Sequence, residues 1–282
     1  MSAPVTHEWE FEGQRLVYDE YGSGSRTLVL IHGLLLSRKM HQPLAEALAE
    51  RGNRVICPDM LGHGASDAPR DMWRYSMPLF GDQTLALMDH LGLDDAVIGG
   101  TSLGANISLE VASKQPDRLR GMFIEMPVLD NALLGCAIAF APLLVATTFG
   151  APLARALAFG ARRVPRGGFY FTDLALDAVS QDPGPASAVL QGLFFGRVAP
   201  PRAERRLIET KALVFGHPRD PVHPFSDSDM LVRELKNARL VEAESIVELR
   251  LTPDRLTTEI ARFLDECWRP KSASGRKRRR AS

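Results

Sequence analysis

Ala96-Val97-Ile98-Gly99-Gly100-Thr101-Ser102-Leu103-Gly104 is a short aliphatic run that stops on glycines, turns at a serine and opens a helical segment reaching about Gln115. A serine held on so tight a strand-to-helix turn is lifted above the end of its sheet. Small neighbours permit the close approach, and the N–H of the following residue points into the same space. Gly-x-Ser-x-Gly is a weak signal alone, and an ordinary glycine turn would also satisfy it. Its place between a strand and a helix gives it weight, and makes Ser102 the candidate nucleophile.

Working outward, residues 27–31 (TLVLI) form a continuous β-branched and aliphatic run, the mark of a strand buried on both faces. Residues 8–21 alternate and break at Glu12-Gly13, which predicts a hairpin. A helix over 40–51, a strand over 54–58, a loop over 59–67 and a helix ending near Gly92 lead into the serine turn. Beyond it come a strand over 119–126, a strand over 212–215, a helix to Leu235, a strand over 239–242 and a last helix over 254–268. Strands alternating with helices at this spacing imply an α/β protein with a mostly parallel central sheet flanked by helices.

The rhythm breaks after Met126. Residues 127–206 read as helical and apolar, and are expected to form an inserted helical lid over a core made of residues 1–126 and 207–268. Within them, residues 132–154 carry no charge, long enough in principle to cross a bilayer. Gly135, Pro142, Gly150 and Pro152 interrupt that run, which favours lid helices lining an apolar pocket over a span. Shallow contact with a membrane surface stays open.

The chain of 282 residues has 45% hydrophobic and 24% charged residues, which excludes global disorder and allows a sizeable core. Its formal charge of zero conceals a basic tail: seven Lys/Arg and no acid lie between Arg269 and Arg280. Residues 269–282 are expected to be a disordered, solvated terminus. The rest is mildly acidic and offers no nucleic-acid groove. Cys57, Cys136 and Cys267 form neither a disulfide framework nor a metal-binding pair, and the N-terminus lacks a signal peptide's basic and apolar stretches. A cytoplasmic protein is expected. Gly-x-Gly-x-x-Gly, Walker and HExxH patterns are missing, so no cofactor or metal is expected.

Ile31-His32-Gly33-Leu34, residues 58–66 (PDMLGHGAS), the serine turn and residues 216–224 (GHPRDPVHP) occur in an order and spacing that resemble the α/β-hydrolase family from residue 9 to residue 268. The resemblance implies Ser102 as nucleophile, Asp220 as triad acid and the backbone N–H groups of Leu34 and Leu103 as the oxyanion hole. Glu125 is a weaker acid candidate. His32, Asp59 and His63 are implied as braces of the neighbouring loops. An aspartate nucleophile, as in epoxide hydrolases and dehalogenases, is disfavoured because Ser102 occupies the turn.

The general base departs from the family's pattern. The family's histidine normally follows the last strand, where this chain reads Glu244-Ser245-Ile246-Val247-Glu248, and no histidine occurs after His223. Ile246 can accept no proton. The alternatives are His223 or His217 from the acid loop, His32 from the oxyanion side, or Glu248. His7, His41 and His90 are expected on inert surface segments, and Glu110 and Asp117 as solvated charges. Two functions remain. One is a serine hydrolase, of carboxylesterase or acyl-hydrolase type, for a small ester or thioester with an apolar part. The other is a catalytically impaired pseudo-hydrolase that binds an apolar ligand or a partner protein.

Overall fold

The computed structural model describes residues 3–167 and 170–269, so the expected basic tail lies almost wholly outside the described residues. Strands β1 (Val5–Phe11) and β2 (Gln14–Tyr21) form the predicted hairpin. Its central residues Glu12 and Gly13 both take positive φ, the turn that matches the twist of paired strands. Six further strands complete one sheet: β3 (Arg26–Ile31), β4 (Asn53–Asp59), β5 (Ala96–Thr101), β6 (Leu119–Glu125), β7 (Ala212–Gly216) and β8 (Ala238–Glu242). Their order is β1-β2-β4-β3-β5-β6-β7-β8. β1 and β2 run antiparallel, β2 pairs antiparallel with β4, and every pair from β4 to β8 is parallel.

Parallel strands need covered faces, and the alternation of side chains supplies a core on each. Val29, Ile31, Ile98 and Ile124 pack on one side with helices α2 (Met77–His90) and α3 (Leu103–Lys114). Leu28, Leu30, Val97 and Phe123 pack on the other with α1 (Gln42–Ala49) and the C-terminal helix (Asp254–Trp268). That last helix buries Leu256, Ile260, Phe263, Leu264 and Cys267, the stripe expected of one helical face against a sheet.

From β3 the chain passes to β4 on one side and then returns to β5 on the other. The crevice beyond the carboxyl ends of β3 and β5 is therefore the topological switch point, where open parallel sheets bind their ligands. Ser102 follows β5 and Leu34 follows β3.

Between β6 and β7 the described residues form helices and no strand: α4 (Leu133–Phe149), α5 (Ala151–Ala161), α6 (Tyr170–Val179), α7 (Pro183–Phe194) and the single turn α8 (Arg202–Arg205). Among the described residues no single helix is long and apolar enough to cross a membrane, and the α4–α5 pair bends by 99° at Gly150. The remaining helices are α9 (Phe225–Glu234), α10 (Glu248–Leu251) and α11, the C-terminal helix.

Two surface expectations are corrected. His41 is buried, its Nε2 3.0 Å from the Ile31 carbonyl, because the helix expected from residue 40 begins as a tight turn (Arg38–His41) that folds the imidazole under β3. Glu110 is fully buried, with Arg197 Nε bonding its Oε1 at 2.8 Å and Nη2 its Oε2. A carboxylate can be taken out of water there because the arginine fork satisfies both oxygens.

Candidate functional site

Ser102 sits at φ 54°, ψ −104°, a backbone conformation that non-glycine residues rarely adopt. The surrounding structure imposes it. The Ser102 N–H donates to the Glu125 carbonyl at 2.9 Å, and its own carbonyl accepts from Asn106 N–H at 3.0 Å, so strand and helix both hold the turn. Gly100 and Gly104 are required for closeness: a Cβ at either would drive into the backbone of Ile31 on the adjoining strand.

The partner of this hydroxyl comes from the loop after β7. His223 Nε2 lies 2.9 Å from Ser102 Oγ, and His223 Nδ1 lies 3.0 Å from Asp220 Oδ2. An ionised carboxylate only accepts, so Nδ1 carries the ring proton of the neutral imidazole and Nε2 presents its lone pair to the serine hydroxyl. Asp220 Oδ1 is committed elsewhere, accepting the backbone N–H groups of Val222 (2.8 Å) and His223 (2.9 Å). One oxygen folds the loop while the other orients the ring. Burial pushes the Asp220 carboxyl up, but the His223 ring and these two amides outweigh it and hold it below the usual carboxylate range.

His32, His63 and Glu248 are committed elsewhere. His32 is fully buried: Nε2 accepts from Met60 N–H at 3.1 Å and Nδ1 lies 2.8 Å from the Gly33 carbonyl. Both ring nitrogens therefore brace the loops after β3 and β4, and burial lowers its pKa to about 4. His63 braces the same corner, with Nδ1 3.0 Å from the Leu61 carbonyl, and Asp59 accepts Arg38 and Ala65 N–H. Glu248 pairs with Arg255 at 2.8 Å and accepts from Glu244 N–H at 2.5 Å. Ile246 is about half exposed.

His217 and Glu125 meet away from the serine hydroxyl. His217 Nε2 stands 3.3 Å from Glu125 Oε1, and its Nδ1 2.9 Å from the Ser245 carbonyl. Arg250 bonds the same carboxylate at 2.7 Å and Thr101 Oγ1 at 2.9 Å, while the Thr101 hydroxyl donates to Glu125. Burial alone would raise Glu125, but the Arg250 charge and His217 beside it hold the carboxyl well below its usual range. His217 is pulled down by burial and pushed up more strongly by Glu125, ending above its ordinary value. This buried cluster clamps Thr101, the residue preceding Ser102. Arg250 and Thr101 gave no sign of it in the sequence, since partners so distant along the chain carry no spacing rule.

Above Ser102 lies a cavity of about 280 Å³ whose walls include Leu34, Leu103, Leu133, Phe140, Leu190 and Leu193. α4 and α7 supply one wall, and the ends of β3 and β5 the other. Asn106 also lines it, but its side chain is committed to the backbone of Val128 and Val198. Leu103 is the first residue of α3, so its N–H lacks an intrahelical acceptor, and Leu34 N–H has no backbone acceptor among the described residues. Two donors and a hydroxyl thus border an otherwise apolar chamber. The described residues contain no cluster of metal-ligating side chains.

A sequence model of the alpha/beta hydrolase fold matches residues 26–149. The chain is 31% identical over 105 residues to a haloalkane dehalogenase of Mycolicibacterium paratuberculosis, covering 37% of this chain and 35% of that protein. It is 34% identical over 110 residues to bifunctional epoxide hydrolase 2 of Sus scrofa, covering 39% and 20% respectively. The chain thus spans about a third or less of the length of these curated relatives. The crystal structure of an enol-lactonase from Burkholderia xenovorans superposes with a TM-score of 0.74 at 23% identity, over 92% of this chain and 100% of that one. Sequence match, strand order and superposition agree that this chain has the α/β-hydrolase fold.

Proposed function

We propose that the protein is a serine hydrolase acting on small esters or thioesters with an apolar part. The observation that carries this is the contact of His223 Nε2 with Ser102 Oγ, backed by Asp220 on the far ring nitrogen. In this reading Ser102 attacks the acyl carbon as His223 takes its proton. Asp220 fixes the tautomer and steadies the imidazolium, and Leu34 and Leu103 N–H receive the developing oxyanion. The leaving alcohol or thiol collects the proton from His223. Water, activated by the same ring, then releases the acid.

The pseudo-hydrolase alternative rested on a missing base, and the His223 Nε2 contact with Ser102 Oγ supports the hydrolase reading over it. The two curated relatives are named for haloalkane and epoxide substrates. A hydroxyl in contact with an imidazole favours acyl transfer here. The chamber offers apolar walls of about ten methylene-sized groups in volume, so medium-length acyl or alkoxy groups fit it. The helices between β6 and β7 act as its lid.

The test is hydrolysis of p-nitrophenyl esters from acetate to laurate by wild type and Ser102→Ala. The reading predicts a kcat/KM maximum at intermediate length and a loss of three or more orders of magnitude in the variant. Equal turnover by the two proteins would refute it.

A further inference from the structure

Half of the exposed large apolar side chains among the described residues sit on α4 and α5. On α4, Leu134, Ile138, Val145 and Phe149 are 72%, 68%, 56% and 81% exposed, and their spacing places them on one face. The opposite face carries Leu133, Cys136, Ala137 and Phe140 into the chamber above Ser102. α4 is therefore apolar on both sides, which a helix roofing a pocket in water has no reason to be. α5 continues the outer surface with Leu153 and Leu157. Both helices rest on α7, so their unpacked faces turn away from the same support.

Charge accompanies this surface. Between Asp130 and Asp173 the sequence has no acid and four arginines, at 155, 162, 163 and 166. Arg166 pairs with Asp177 at 3.1 Å. Arg155, Arg162 and Arg163 form no ion pair among the described residues; Arg162 donates to the Ser180 carbonyl at 2.9 Å, and Arg163 donates to the Phe159 carbonyl at 2.9 Å and lies over the Phe159 ring. A broad apolar face edged by guanidinium groups that no carboxylate neutralises at contact distance complements a surface of hydrocarbon beneath anionic headgroups.

We infer that the outer face of α4 and α5 docks this protein on an anionic phospholipid surface, lying along it. The 99° bend at Gly150 suits two helices lying flat on such a surface and not a straight crossing. Docking stands on the exposed face alone. Its consequence for substrate, that esters dissolved in the bilayer reach the chamber under α4, rests on the proposed role of Ser102.

The experiment is sedimentation of the full chain with vesicles of equal phosphatidylglycerol and phosphatidylcholine, and with phosphatidylcholine alone. Wild type is expected to bind the anionic vesicles at least about tenfold more, less so in high salt. Leu134→Ser/Ile138→Ser/Phe149→Ser should lose most of that binding. Arg155→Gln/Arg163→Gln should lose its salt dependence, circular dichroism confirming that each variant is folded. A chain ending at residue 269 should bind as before, and Ser102→Ala should bind like wild type, which separates docking from catalysis. Binding that survives the triple substitution and vanishes with the tail would overturn the inference. So would absence of binding, or a dimer in light scattering that the triple substitution dissolves, which would assign the face to a second copy.

Discussion

His223 and Asp220 stand three residues apart on one loop, so carboxylate and imidazole reach Ser102 as a unit and not from separate strand ends. Replacing Asp220 with Asn leaves an oxygen for the turn amides but presents an N–H₂ to Nδ1, which inverts the tautomer and turns Nε2 into a donor. Asp220→Asn is expected to lower kcat by about 10²–10⁴-fold with little change in KM, measured on the preferred ester. A loss confined to KM would mean that the loop shapes the chamber without orienting the ring. Ser102 stood out from a local pattern, because glycines around a strand-to-helix turn are a short-range signal, whereas Asp220 came only from the resemblance of residues 216–224 to the family's acid loop. His223 was legible only as one of several candidates. Choosing it over His32 needed the folded positions of two segments 121 residues apart. Glu110 was misread because nothing near it in the sequence announces Arg197.

At the scale of single elements, α4 and β6 carry separable consequences. Ala137 faces the chamber from α4, so Ala137→Trp should fill it and shift the preferred acyl group toward acetate. An unchanged chain-length profile would place the acyl group elsewhere. Glu125 closes β6 with both oxygens bound by buried partners. Glu125→Ala would leave the Arg250 guanidinium uncompensated, and is expected to cost about 3–5 kcal/mol in denaturant unfolding. The central strands were readable to within a residue or two, since unbroken aliphatic runs have few other uses, while β1 begins three residues before the expected Glu8. The helices between β6 and β7 were readable as a group but not individually. Gly and Pro mark their ends, while their burial depends on what they cover.

The whole molecule contains three histidines buried as neutral rings, and burial lowers His32 to about 4 and His41 and His63 to about 3 from an ordinary 6.5. The unfolded chain takes up these protons below pH 6.5 and the folded one does not, so their contribution is full above 6.5 and drains away as pH falls toward 3–4. His217, raised by Glu125, has the opposite sign: its contribution is full below 6.5 and is lost as pH rises. Three outweigh one, and the thermal midpoint should fall by roughly 5 °C or more between pH 7.5 and pH 5, read by calorimetry. A midpoint that is level or rises over that interval would show that the three rings are not buried as described. The sheet that buries them also joins β5 to β7 through β6, and so carries His223 to Ser102. The most direct test of that meeting is the rate at which a fluorophosphonate labels Ser102, identified by peptide mass, in wild type and in His223→Ala. Labelling of wild type at Ser102, slowed at least about 100-fold in the variant, is the predicted result; equal rates, or no labelling of wild type, would contradict it.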